Sequence, residues 1–241
     1  MADKDELRRL RAGTIINATS KQQEKEFVRA LFRVVDHLLA VHPDDTFVHE
    51  PNWELIDIAD GLRERFPDVA FHVHFPTSRL QPDAGIIFLA DPSGTRYPVL
   101  IGEVKNQGTN HLRRAEGKKP QSRGNAIERL GKNVIGFRAA LRHELIFPFV
   151  CFGYGSDFVP ESSILDRVTT IAMYGELNRT CLENDGQGGV FNRGSFYFRP
   201  ERWTEDEMYA VMVDIALRSV AYYRARYAEA FAAPPGAAPS G

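Results

Sequence analysis

Pro82-Asp83-Ala84-Gly85-Ile86-Ile87-Phe88-Leu89, the turn Asp91-Pro92-Ser93-Gly94-Thr95, and Tyr97-Pro98-Val99-Leu100-Ile101-Gly102-Glu103-Val104-Lys105 form the stretch that decides the fold. Gly85 to Leu89 and Tyr97 to Lys105 read as strands, and the residues between them have turn chemistry, so a hairpin is expected. With Ser93 at its centre, Asp83 and Glu103 lie equally far to either side and face each other across the ladder. Directly opposed residues of an antiparallel pair lie ~4.5–5.5 Å apart at Cα, and a bulge would shift this register by a residue. Lys105, two residues past Glu103, shares its face, where Val99 and Ile101 are apolar before the pattern turns to charge.

Two carboxylates brought together repel unless a cation separates them. Hard oxygen ligands of this kind suit Mg²⁺, which keeps several waters and takes one or two protein carboxylates plus substrate phosphate. Asp83 and Glu103 would be the ligands, helped by the Val104 carbonyl. Lys105 would orient a water and stabilise charge that develops in the transition state. The same residues also describe an ordinary strand-end salt bridge from Glu103 to Lys105, with Asp83 in a Pro-Asp turn.

Outward from the hairpin, strands and helices interleave. Lys21 to Val41 carries Phe27, Leu31, Val34, Val35 and Leu38 at helical spacing, and Trp53 to Phe66 carries Leu55, Ile58, Ala59, Leu62 and Phe66. Val69, Phe71, Val73 and Phe75 alternate as in a half-buried strand. A helix is expected from Asn125 to about Arg142, with Ile127, Leu130, Val134, Phe137 and Leu141 as its stripe. Ile146 to Gly153 reads as a buried central strand, Ser162 to Ala172 as a helix, Asn184 to Gly194 as a loop and Ser195 to Arg199 as a short strand. Thr204 and Glu207 form a capping box opening the last long helix. The expected class is α/β, a mixed central sheet flanked by helices. One domain is expected over residues 1–231, followed by a disordered Ala/Pro/Gly-rich tail at 232–241.

Composition narrows the class further. Hydrophobic residues make up 43% and charged residues 26% of the 241, ordinary for a globular chain. No apolar run approaches the ~18 residues of a membrane span, and the charged N-terminus is no secretory signal. The two cysteines, Cys151 and Cys181, suit free thiols in a cytoplasmic protein rather than a disulfide framework or zinc site. The net charge is −2, but the stretch from Glu103 to His143 holds ten Lys/Arg against three acids. Phosphate binding needs such local positive potential, although a cluster of this kind is also a common solvated face.

Inside that basic stretch lies Gly124-Asn125-Ala126-Ile127-Glu128-Arg129. Asn125 and Arg129 are four apart and so neighbours at the start of a helix. Asn suits adenine N6 and N7, Arg suits guanine or phosphate, and a helix N-terminus favours anions. A small Ala126 permits close approach to bases and to a thymine methyl. The alternative is a helix capped by Asn125 with an exposed Glu128/Arg129 pair.

Taken together, these segments resemble the EcoRI restriction endonuclease family, a branch of the PD-(D/E)xK nucleases. The resemblance lies in Pro82 to Ile86, Glu103-Val104-Lys105-Asn106-Gln107-Gly108, Gly124 to Arg129, Lys132-Asn133 and Phe147-Pro148-Phe149-Val150. It continues more weakly through Gly155 to Phe158 and Leu165 to Thr169. It implies a homodimer that cleaves both strands of palindromic double-stranded DNA with Mg²⁺, leaving 5′-phosphate, 5′-overhanging ends. On this likeness Asp83, Glu103 and Lys105 are catalytic. Asn125, Ala126, Glu128 and Arg129 read an inner AATT, and Glu128 and Arg129 pair across the dimer. A DNA methyltransferase is implied as the genetic partner.

Gln121, Ser122 and Arg123 stand where the family has a methionine and two alanines that read the outer base pair. Gln121 or Arg123 is therefore expected to contact a guanine, giving GAATTC or a variant such as CAATTG. Of two arginines in a later family segment, only that at Arg167 is present; Ile164 stands where the other would be. Gln81 replaces a lysine before Pro-Asp, and Asn106 a histidine. The competing reading is a PD-(D/E)xK repair or recombination nuclease that cuts by DNA structure, for which base readout has no use.

Overall fold

The computed structural model describes residues 15–106, 117, 125–185 and 191–232. Its first helix, α1 (Ile15–Val41), begins ahead of the expected Lys21. Phe27, Ala30, Leu31, Val34 and Leu38 form its fully buried stripe. Strand β1 (Thr46–Glu50) follows, then the short β2 (Trp53–Glu54), α2 (Leu55–Arg65) and β3 (Arg79–Leu80). The hairpin is β4 (Gly85–Ala90) and β5 (Arg96–Asn106). After it come α3 (Asn125–Ala140), β6 (Phe149–Tyr154), α4 (Ser163–Ile171), β7 (Ser195–Arg199), α5 (Glu205–Arg226) and α6 (Ala228–Ala232).

Among the described residues the main sheet has the order β1-β4-β5-β6-β7. The pairs β1/β4 and β4/β5 are antiparallel, while β5/β6 and β6/β7 are parallel. The mixed sheet flanked by helices is therefore present. Leu100, Val104, Val150 and Phe152 point to one face, where α1 and α5 bring Phe27, Leu31, Met208, Met212 and Val220. Ile86, Phe88, Ile101, Phe149, Cys151, Phe196 and Phe198 point to the other, under Ile127, Leu130, Val134 and Phe137 of α3. Burial on both faces leaves β5 and β6 as near-continuous apolar runs. Among the described residues, no helix is long and apolar enough to cross a membrane.

Several expectations need correction. Residues 69–75 form no strand, and Val69 and Phe75 are 50% and 70% exposed. Alternation needs a neighbour to pair with, and the open edge of β4 is already taken by β1, residues Thr46 to Glu50. Trp53 and Glu54 belong to β2, paired with β3, so the helix starts at Leu55. The expected strand from Ile146 starts at Phe149, because Pro148 has no N–H for the ladder and offers only its carbonyl, to Ile101 N at 2.8 Å. Ala232 ends α6, and the remainder of the tail, 233–241, lies outside the described residues. The capping box forms: the Thr204 hydroxyl accepts from Glu207 N at 3.2 Å, and the Glu207 carboxylate accepts from Thr204 N at 2.8 Å.

The hairpin is corrected in register. Ala90, Leu89 and Phe88 pair with Arg96, Tyr97 and Pro98, as a turn centred on Ser93 requires. Asp91 Oδ1 fixes that turn, accepting from Ser93 N, Ser93 Oγ and Thr95 N. Ile87, however, pairs with Leu100, so Val99 is the extra residue of a bulge. From there the register is shifted by one: Gly85 pairs with Gly102, and Asp83 falls across from Val104 rather than Glu103. The bulge also sends Val99 to the α1/α5 face, away from Ile101.

Gly85 turns the chain from Asp83 into β4. Its φ is +87°, and a Cβ there would lie 2.5 Å from the Glu50 carbonyl oxygen and 2.6 Å from His49 Nε2. Gly85→Ala should therefore lose about 1–2 kcal/mol from the left-handed backbone alone, and more from the clash. The check is urea unfolding. A lower midpoint at unchanged m is expected, and a midpoint equal to wild type would contradict this account of the turn.

Candidate active site

Asp83, Glu103 and Lys105 converge where β5 runs past the end of β4 while still paired with β6. Glu103 sits on the face covered by α3 and is 1% exposed. Lys105, two residues on, keeps to the same face, with its side chain 14% exposed, while that of Asp83 is 36% exposed. The Lys105 ammonium contacts three oxygens: Asp83 Oδ2 at 2.6 Å, Glu103 Oε1 at 2.5 Å and the Val104 carbonyl at 3.3 Å. These belong to the three residues expected to hold a cation.

Backbone groups complete the frame. The shifted register lets Val104 N donate to Asp83 Oδ2 at 3.2 Å, and Asp83 N donate to Glu103 Oε2 at 3.2 Å. His49 Nε2 lies 2.8 Å from the Ala84 carbonyl and braces the turn behind Asp83. Asn133 of α3 points its amide at both Glu103 oxygens, at 3.3 and 3.5 Å. Beside Asp83 an open cleft of about 580 Å³ is walled by Glu24, Lys25, Val28 and Arg29 of α1.

Burial pushes the Glu103 carboxyl up from its ordinary range; Lys105 pulls it back down and Asp83 adds to the rise. The same burial works against the Lys105 ammonium, but Glu103 and Asp83 outweigh it and hold Lys105 above the usual lysine range. Two carboxylates and one ammonium leave a net charge of −1. Among the described residues no group of three or more His, Cys, Asp or Glu side chains is placed to hold a metal. A cation here would use two carboxylates, a carbonyl and water, a donor set that fits Mg²⁺. Cys151, beside this cluster in β6, is fully buried, and burial followed by Glu103 keeps it a thiol.

The structure brings Asp83, Glu103, Val104 and Lys105 together. Of the two alternatives weighed from sequence, the salt bridge from Glu103 to Lys105 exists, and it also includes Asp83. Asn125 opens α3, with Ala126 next along it; the side chains of both lie outside what is described. Glu128 and Arg129 are exposed in its first turns, and Arg167 is exposed on α4. Gln121 and Arg123 lie outside the described residues. Sequence reasoning missed His49, the α1 wall and the contact of Asn133, part of the Lys132-Asn133 likeness, with Glu103. Beyond that likeness, Asn133 stood beside the apolar residue Val134 as a polar residue bordering the buried stripe.

Lys105→Met tests the electrostatics. Without the ammonium, Glu103 is raised further, so the folded state holds a proton that the unfolded state releases above about pH 4.3. Stability then falls as pH rises through that window. The gap from wild type should be small near pH 4 and reach about 3–5 kcal/mol at pH 8, the cost of breaking a buried pair. Unfolding curves at the two pH values check this, and a gap independent of pH would sink it.

Comparison with known proteins places the geometry in a family. The family described as restriction endonuclease EcoRI matches residues 11–164. Type II restriction enzyme RsrI from Cereibacter sphaeroides is 28% identical over 196 residues, which is 68% of this chain and 71% of that enzyme. Type II restriction enzyme EcoRI from Escherichia coli is 29% identical over 134 residues, 52% of this chain and 48% of that enzyme. The family match covers well over half of the sequence and contains Asp83, Glu103, Lys105 and all of α3. The chain belongs to the EcoRI family of type II restriction endonucleases.

Proposed function

We propose that this chain is a Mg²⁺-dependent, homodimeric endonuclease that cuts both strands of double-stranded DNA within an AATT-centred palindrome, GAATTC or a variant such as CAATTG. It would leave 5′-phosphate, 5′-overhanging ends. The observation that carries this reading is the convergence of Asp83, Glu103 and the Val104 carbonyl on one cationic point. A bound Mg²⁺ would polarise the scissile phosphate and lower the pKa of a water. Asp83 and Glu103 would hold the cation, with the Val104 carbonyl as a third oxygen. Lys105 would orient the attacking water and stabilise charge that builds on the phosphate.

Recognition belongs to the start of α3. Asn125, Ala126, Glu128 and Arg129 read the inner AATT, Gln121 or Arg123 reads the outer pair, and Arg167 supports from α4. A palindrome matches a two-fold dimer. The outer face of α3 offers Ile135, 69% exposed, beside exposed Lys132 and Ala139, a surface suited to packing on a second copy. The working unit is one domain over residues 1–231, acting in the cytoplasm beside a methyltransferase that protects host DNA.

Plasmid DNA carrying AATT-centred palindromes with each outer pair, incubated with Mg²⁺, should give discrete fragments whose sequenced ends fall within one of them. Smearing, or no cutting at any of them, would overturn the site-specific reading. Glu103→Gln should abolish cleavage while specific binding persists. Asn125→Ala should weaken cognate binding by about 1–3 kcal/mol and leave random-sequence binding near wild type in a filter or mobility assay.

A further inference from the structure

Asn133 touches both halves of the site from a third element. Its Nδ2 donates to Glu103 Oε1 at 3.3 Å and Oε2 at 3.5 Å, and to the Gln81 carbonyl at 3.4 Å. All three neighbours are acceptors, which fixes the amide with its NH₂ toward them. Gln81 precedes Pro82-Asp83, so one amide spans the segment that carries Asp83 and the carboxylate of Glu103. Two hydrogens shared among three oxygens at these distances make weak bonds, but they reach a carboxylate that is 1% exposed.

The contact is built by helix packing. Ile127, Leu130, Val134 and Phe137 pin α3 to the sheet. Gly136 lets it come close to β3, since a Cβ there would lie 2.6 Å from Leu80 Cδ2. That approach brings Asn133, one turn earlier, within reach of Gln81. Along α3, Asn125, Arg129 and Asn133 occupy one i, i+4, i+8 row. The row spans roughly 12 Å at 1.5 Å per residue. The base-reading end of α3 and the amide on Glu103 are thus two points of one helix, with its packing between them.

We propose that Asn133 is a positioning residue that ties the Glu103 carboxylate to α3, so that seating α3 on DNA and setting Glu103 are one structural event. The proposal rests on the reading of Asp83, Glu103 and Lys105 as the cleavage site. Asn133 acts by fixing the direction of Glu103 and the approach of the Asp83 segment. Outer partners of a metal-holding carboxylate are typically worth 10–100-fold in metal affinity or activity.

The test compares wild type with Asn133→Leu, near in shape but without a donor, and Asn133→Gln, which keeps the amide. Three measurements are made on the intact protein: cognate DNA binding with Ca²⁺, single-turnover cleavage with Mg²⁺, and Mn²⁺ binding without DNA by electron paramagnetic resonance. Asn133→Leu should bind cognate DNA within about threefold of wild type yet cleave roughly 10–100-fold more slowly and hold Mn²⁺ more weakly. Asn133→Gln should recover part of both losses. Wild-type cleavage and Mn²⁺ affinity in Asn133→Leu would overturn the proposal. So would loss of DNA binding in step with cleavage, which would make Asn133 a recognition residue, or a Gln variant as impaired as the Leu variant. If wild type itself cuts no AATT palindrome, the functional reading fails separately, and the Mn²⁺ comparison still decides whether Asn133 sets Glu103.

Discussion

A carboxylate buried at the end of a central strand is the constraint that organises this molecule. Glu103 is nearly inaccessible between β4, β6 and α3, and burial favours its neutral form. An unpaired charge there would cost several kcal/mol, comparable with the whole stability of a domain. Lys105 supplies the compensation because a strand returns to the same face every second residue. Asp83 brings a second negative charge to the same ammonium, which leaves the cluster one positive charge short of neutrality. The fold thus holds a carboxylate in place at a cost that a bound cation would relieve.

How the two acids meet depends on one misfit residue. Had the hairpin kept the register set by its turn, Asp83 and Glu103 would oppose each other directly and Val104 N would have no carboxylate to donate to. The bulge at Val99 offsets them by a residue, so each acid accepts a backbone N–H from the other's segment. The turn and both strands were legible because their signals are local: Asp91 to Thr95 has turn chemistry and the flanking runs are apolar. The bulge was not, because it arises from packing of Val99 and Leu100 together against the α1/α5 side. Pro98, an awkward residue for a strand with neighbours on both sides, marked the place.

The same distinction separates Val69 to Phe75 from Thr46 to Glu50. The first alternates well and forms nothing, while the second carries a weaker pattern and pairs with β4 over its whole length. Edge pairing is decided by which segment can reach the open strand, and that depends on the path of α1 and α2. At the site, Asp83, Glu103 and Lys105 could be found in the sequence because they are closely spaced and one hairpin unites them. The meeting of Asn133 with Glu103 could not, since it depends on Gly136 against Leu80, a contact between elements far apart in the chain.

Charge shows how a chain of net −2 can still present a surface for phosphates. On the α1/α5 side several acids are paired internally: Arg29 and Arg33 with Glu205, Arg33 with Asp206, Arg199 with Glu207, and Arg224 with Asp45. Such pairs, each with at least one exposed partner, add little stability, but each cancels a negative charge close to its source, so little of that field extends past a Debye length of about 8 Å at physiological salt. The excess of Lys and Arg between Glu103 and His143 has far fewer acids in its own stretch to cancel it. Overall acidity and local basicity of the sequence are then compatible, and the basic stretch is the part of the chain that also contains Glu103, Lys105 and the start of α3.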